Sequence, residues 1–343
     1  MRKINLALQG GGAHGAFTWG TLDRLLEEDD LEIEGISGTS AGAMNAAALK
    51  AGWVRNGNEG AREALETFWD AIAQAGDGVA QWLSVFSPNP DLFAKLVEMS
   101  PAYVMGDALT RTFSPYQLNP LNIHPLRPTV EQMLDFDKVC AIAGPKLFIS
   151  ATNVRTGKIK VFSGNEISVD SLLASACLPT LYQAVEIKDE ETGLEEAYWD
   201  GGYMGNPALF PLFDETESAD ILIVHINPIF RDEVPRGARD ILNRINEISF
   251  NSSLLRELRA IDFVKRLLEE GKISNNSMKD LFIHSVRDDD LMRQLGVATK
   301  LTPDRHLLRQ LRDAGREAMD GFLKAHKSDL GSQGTLDLRG MFA

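Results

Sequence analysis

One pentapeptide, Gly38-Thr39-Ser40-Ala41-Gly42, separates two stretches of different periodicity. Upstream, Leu31-Glu32-Ile33-Glu34 opens a run to Ser37 that alternates apolar and polar residues, the pattern of a half-buried strand. Downstream, Ala41 to Leu49 is alanine-rich and contains Met44, a helical composition, and Ala51-Gly52 is the expected stop. The G-x-S-x-G pattern between them is that of a nucleophile elbow, where a serine sits on a sharp strand-to-helix turn with its hydroxyl exposed. Gly38 and Gly42 answer a steric demand, because such a turn brings helix and strand too close for side chains. A chain built on this turn is committed to a strand with a helix packed back over it.

The preceding unit repeats the arrangement. Ile4 to Leu8 reads as a buried strand and runs into Gly10-Gly11-Gly12-Ala13-His14-Gly15, after which Phe17, Leu22, Leu25 and Leu26 recur at helical spacing. Strand, helix, strand, helix implies parallel strands with helices on the faces, so the expected class is α/β with a mainly parallel central sheet. The glycine loop admits two readings. Gly10, Gly12 and Gly15 satisfy the G-x-G-x-x-G dinucleotide fingerprint, which also requires an acidic residue at the end of the second strand. The Ser40 pentapeptide occupies that place. Alternatively, the loop offers backbone N–H groups at a helix N-terminus to a developing negative charge, beside Ser40 at the same sheet edge. The second reading explains both loops with one reaction and is preferred.

These residues, together with Tyr198-Trp199-Asp200-Gly201-Gly202 and Ala174-Ser175-Ala176-Cys177-Leu178-Pro179, resemble the patatin-like phospholipase family over roughly residues 4 to 210. The resemblance implies a three-layer architecture with a helical insertion, and lipid ester hydrolysis by a Ser-Asp dyad without histidine. It assigns Ser40 as nucleophile and Asp200 as general base. The oxyanion hole falls on Gly10, Gly11, Gly12 and Ala41, with Gly38, Gly42, Gly201 and Gly202 as supporting motif residues. No cofactor or metal is implied. One departure is His14, where the family usually carries Arg or Lys.

Composition narrows the partners. A net charge of -14 over 343 residues argues against nucleic acid and against electrostatic docking on anionic lipid. A hydrophobic fraction of 44% without a run near membrane-span length is that of a soluble globular chain. Cys140 and Cys177 are too few for a disulfide framework, and a cytoplasmic location is expected. The expected partner is a lipid or acyl-ester substrate, including one presented at a membrane surface; oligomeric state is left open.

Residues 1–327 are expected to form a single domain, in which 53–145 are a helical, proline-interrupted insertion and 210–327 complete the fold with strands and helices. Within the insertion, Trp82, Leu83, Val85, Phe86, Phe93, Leu96 and Val97 read either as a small core or as a cap walling an acyl pocket. Asp240 to Leu268 is a long amphipathic segment with Ile241, Ile245, Ile248, Leu255, Leu258 and Ile261 near one stripe. Thr302-Pro303 is expected to open a last helix, and 328–343 to be a flexible tail. His225 and His284 read as core histidines, with a Ser-Asp-His triad as the competing arrangement, and His124 as a loop residue. Two other functions remain open from sequence: a dinucleotide-dependent oxidoreductase using Gly10–Gly15, and a catalytically silent interaction protein on the same scaffold.

Overall fold

The computed structural model describes residues 1–76, 90–189, 192–274 and 277–342. Trp82, Leu83, Val85 and Phe86 of the expected insertion core lie outside the described residues. The strands are β1 (Arg2–Leu8), β2 (Leu31–Gly38), β3 (Lys146–Asn153), β4 (Ile159–Ser163), β5 (Val185–Lys188), β6 (Glu195–Asp200), β7 (Asp220–His225) and β8 (Phe282–Arg287). They form one sheet in the order β5-β6-β3-β2-β1-β7-β8, with β4 also paired to β3. The run β3-β2-β1-β7-β8 is parallel, whereas β6 and β4 pair with β3 antiparallel.

The alternation of side chains along a strand divides the core. Leu6 and Leu8 of β1 join Phe17, Trp19, Leu22, Leu49 and Leu311 on one face. Ala7 joins Ile221, Ile223, Leu212, Leu254 and Leu258 on the other. Helices therefore cover both faces, giving the expected three layers. The first face carries α1 (Gly15–Leu25), α2 (Ala41–Gly76) and, later in the chain, α13 (Arg305–His326). Between α2 and β3 lie α3 (Pro90–Met99), α4 (Pro101–Thr112), α5 (Pro115–Leu118), α6 (Arg127–Met133) and α7 (Phe136–Val139). Prolines open α4 and α5 in the first turn, where the missing N–H costs nothing. The remaining helices are α8 (Val169–Ser175), α9 (Phe210–Glu215), α10 (Ala238–Glu269), α11 (Asp289–Arg293), α12 (Val297–Lys300) and α14 (Leu338–Met341).

Four local expectations change. The helix after the elbow does not stop at Gly52; it breaks at Asn56 and Gly57, the latter at φ +59°, and Gly52 instead packs against Gly60 across that break. The last long helix starts after Pro303, because the Asp304 carboxylate caps it by accepting from His306 N and Leu307 N, both at 3.0 Å. On α10, Ile241, Ile245 and Ile248 face solvent, while Phe250, Leu254, Leu258 and Ile261 are buried. The stripe thus changes partners midway along the helix. Residues 328–343 are not a free tail over the described part. Leu330 and Leu338 are buried, Thr335 N and Leu336 N both donate to Ile283 O at 3.0 Å, and Gly331 N donates to Asp220 Oδ1 at 2.9 Å. Sequence patterning misses this because the segment binds an edge strand by its backbone and contributes only isolated apolar side chains. Deleting residues 330–343 is expected to lower the melting temperature by roughly 5 °C or more, since two buried leucines and the hydrogen bonds of three backbone N–H groups are lost. An unchanged melting temperature would mean that the segment is not docked.

Candidate active site

Because β1 and β2 are parallel neighbours with Leu8 opposite Gly38, the loops that follow them leave the sheet side by side. The chain after β2 turns so sharply that Ser40 takes φ +54°, a left-handed conformation that costs a non-glycine residue about 1 kcal/mol. A Cβ on Gly42 would lie 2.1 Å from the Leu8 carbonyl oxygen, so the first turn of α2 can sit on β1 only with glycine there. The strained turn is tied on three sides. Thr39 N donates to Leu8 O at 3.3 Å, Thr39 Oγ1 to Gly205 O at 2.6 Å, and Ser40 N to Ser175 Oγ at 2.8 Å. Ser175 in turn donates to Ser150 O at 2.7 Å, so its hydroxyl bridges the elbow to β3.

Asp200 arrives on β6, paired with Ala151 of β3, and is 1% exposed. Its Oδ1 accepts from Gly202 N at 2.7 Å, and Asp200 lines the same cavity as Ser40. Burial pushes this carboxyl up to about 7, against the opposing pull of the Gly202 N–H, the Ser40 hydroxyl and the positive charge of Lys300. The apolar cover is Phe250 of α10, whose ring lies where a side chain on Gly202 would be; neither Trp199 nor Tyr203 lines the cavity in front of Ser40. A carboxylate that titrates near neutrality is a far better proton acceptor than one at its ordinary value near 3.9.

The glycine loop divides by role. Gly10 does not present its N–H to the cavity, in contrast to the sequence expectation: it donates to Asn206 Oδ1 at 2.6 Å. Among the described residues, none accepts from the N–H groups of Gly11, Gly12 or Ala41, and all three residues line the cavity with Ser40. Gly12 sits at φ +58°, and a Cβ there would lie 2.3 Å from Lys300 O, so the loop is pressed against α12. His14 is buried with Nε2 at 2.8 Å from Thr299 Oγ1, and burial, then the Lys300 charge, hold its imidazole well below the ordinary value, so it is neutral. The cation here is Lys300, whose Nζ donates to Asn227 Oδ1 at 2.8 Å. Sequence reasoning misses Lys300, Asn206 and Asn227, which lie in no motif. Ser175 stood inside the Ala174–Pro179 block without a role.

The cavity measures ≈ 460 Å³ and carries Ser40 and Asp200 in a wall of Met44, Phe68, Trp69, Leu126, Val130 and Leu181. The second half of α2 and the α6 region thus supply much of its apolar lining. Among the described residues, no histidine lines it. His225 Nε2 lies at 3.3 Å from Asn251 Oδ1, His284 Nε2 at 3.0 Å from Asp220 Oδ1, and the His124 ring stacks on Tyr182 with centroids 4.3 Å apart. Cys177 is buried, its thiol raised to about 12 by burial and then by the Asp200 charge, as expected of a packing residue.

A mostly parallel sheet that presents a strained serine beside a buried carboxylate, under an apolar cavity, is the scaffold of an acyl hydrolase. Residues 6–213 match the Patatin-like phospholipase family, and the chain belongs to that family of lipid acyl hydrolases. Its α/β fold is the family's. Among solved structures, VipD from Legionella pneumophila is similar at 13% identity and a TM-score of 0.46, covering 95% of this chain and 67% of that one. No curated protein matches the sequence. Among the described residues, no helix is long and apolar enough to cross a membrane.

The raised Asp200 has a cost that pH exposes. A carboxyl at about 7 when folded and 3.8 when unfolded binds its proton more tightly in the fold, so its contribution to stability is fully present below 3.8 and is lost as pH rises through about 7. Asp200→Asn is therefore expected to melt above wild type, by a margin that grows from about pH 4 to about pH 7 and then levels off. Thermal unfolding across pH measures this; a margin independent of pH would contradict the assignment.

Proposed function

We propose that this protein is a serine acyl hydrolase that cleaves carboxylic esters of lipids through an acyl-enzyme on Ser40. The observation that carries this is that Ser40, on a strained turn, lines one apolar cavity with a buried Asp200 poised near neutrality. In the first half-reaction Asp200 takes the Ser40 proton as Oγ attacks the ester carbonyl. The N–H groups of Gly11, Gly12 and Ala41 receive the oxyanion, each typically worth ~2.7–4 kcal/mol in the transition state. Asp200 then protonates the leaving alkoxide. In the second half it accepts a proton from water as that water attacks the acyl carbon, then returns the proton to Ser40 Oγ as the C–Oγ bond breaks, which frees the acid and restores both residues. Ser175 and Asn206 hold the nucleophile and the loop in register by taking or receiving the N–H groups of Ser40 and Gly10.

The wall of Phe68, Trp69, Leu126 and Val130 suits a hydrocarbon chain, and phospholipid, lysophospholipid and acylglycerol esters are all within the proposed substrate range. Exposed Met105, Phe113, Leu121 and Ile123 in the insertion suit contact with an apolar lipid surface, which the charge of -14 does not oppose. Free Cys140 and Cys177 suit a reducing, cytoplasmic setting.

Turnover of a lysophospholipid and of a short nitrophenyl ester tests the reading. Ser40→Ala and Asp200→Asn are expected to lose at least ~10²-fold in kcat, while His225→Gln and His284→Gln stay within about threefold of wild type. Wild-type activity should rise with pH through about 7 as Asp200 deprotonates. Loss in either histidine variant matching that of Asp200→Asn would overturn the dyad.

A further inference from the structure

The family match ends at residue 213, yet the cavity is closed by α12, far along the chain. Among the described lining residues only two are charged, Asp200 and Lys300. Lys300 Nζ donates to Asn227 Oδ1 at 2.8 Å and to Asn246 Oδ1 at 3.5 Å, and stands 6.0 Å from the Phe250 ring centroid. Both acceptors are neutral amides, so the ammonium keeps its full charge, and among the described residues no carboxylate pairs with it. The nearest acidic group on α10, Glu247, is already engaged by Arg231 and by Arg244. Asn227 also donates from Nδ2 to Gly10 O at 2.9 Å. One amide therefore joins the ammonium to the loop that carries the free N–H groups. The Lys300 carbonyl backs Gly12 from the other side.

We propose that Lys300 is a positioning and electrostatic residue of the hydrolytic site: it clamps the glycine loop through Asn227, and its ammonium lends the positive field that keeps Asp200 ionised at rest and in which negative charge on the acyl oxygen develops. This rests on the hydrolase reading above and adds to it a role for a residue that no motif marks. In a water-poor cavity an unpaired cation acts over several ångströms with little screening, so it need not touch the reacting atoms. The groups that face it are Asp200 from β6, Glu247 from α10, Arg231 from the segment after β7 and His14 from the glycine loop; on α3, Glu98 approaches Gly296, just ahead of α12. Arg231 is paired and His14 neutral, so neither substitutes for the ammonium. Burial lowers Lys300 to about 8, so its charge is lost on mild alkalinisation.

The test is the pH dependence of nitrophenyl butyrate turnover by wild type, Lys300→Met and Lys300→Arg. Lys300→Met is expected to lose roughly tenfold or more in kcat with KM within about twofold, and its acidic limb should move to higher pH, because removal of the cation raises Asp200 further. Wild-type activity should decline above about pH 8, and Lys300→Arg, which keeps its charge, should hold its plateau beyond that point. A Lys300→Met enzyme with unmoved limbs and undiminished kcat would overturn the proposal. If that variant does not fold, the arginine variant decides alone: an alkaline decline at the wild-type pH is the contradicting result. A wild-type enzyme without turnover would instead overturn the hydrolase reading, and this inference with it.

Discussion

Everything at the proposed site depends on one carboxylate kept from water. Asp200 is 1% exposed, beneath Phe250, receives a hydrogen bond from Gly202 N and shares its cavity with Ser40. In solvent an aspartate would be almost wholly ionised and weakly basic at neutral pH. Burial reverses that economy: the ionised form is costly, and proton transfer from an alcohol relieves part of the cost. The fold carries this destabilisation because the large apolar core on both faces of the sheet supports it. Neutral His14 at the loop and raised Cys177 near Asp200 fit the same dry environment, in which Lys300 is the charge of opposite sign.

Geometry follows from parallel pairing. The register of β1 with β2 sets the two loops abreast, and β3 brings both Ser150, which anchors Ser175, and the partner of β6, which carries Asp200. No single element contains the site. The loop after β7 supplies Asn227 and α12 supplies Lys300, so the last third of the chain completes what the first two hundred residues begin.

Local physics was legible in the sequence, and long-range physics was not. The alternating run before Ser40, the alanine-rich helix after it and the glycines between them announced the elbow because each demand is met within a few residues. The buried run at Ile4–Leu8 announced a central strand for the same reason. Gly10 was misassigned because its N–H is taken by Asn206, a partner almost two hundred positions away. Gly52 suggested a helix end, whereas its real constraint is contact with Gly60 across a break. The docked C-terminal segment and the Lys300–Asn227–Gly10 chain likewise depend on side chains and carbonyls that meet only in the folded state. The roles of Ser40 and Asp200 as a pair came from family resemblance, since spacing alone does not bring position 200 to position 40.

The central claim is a covalent acyl intermediate on Ser40. Its most direct test is rapid acid quenching of wild-type protein in the first turnovers with an activated acyl ester, followed by mass analysis of the intact chain and of its peptides. The account predicts a mass increase equal to the acyl group, confined to the peptide containing Ser40 and absent from Ser40→Ala. Ester turnover with no adduct, or an adduct on another residue, would contradict it.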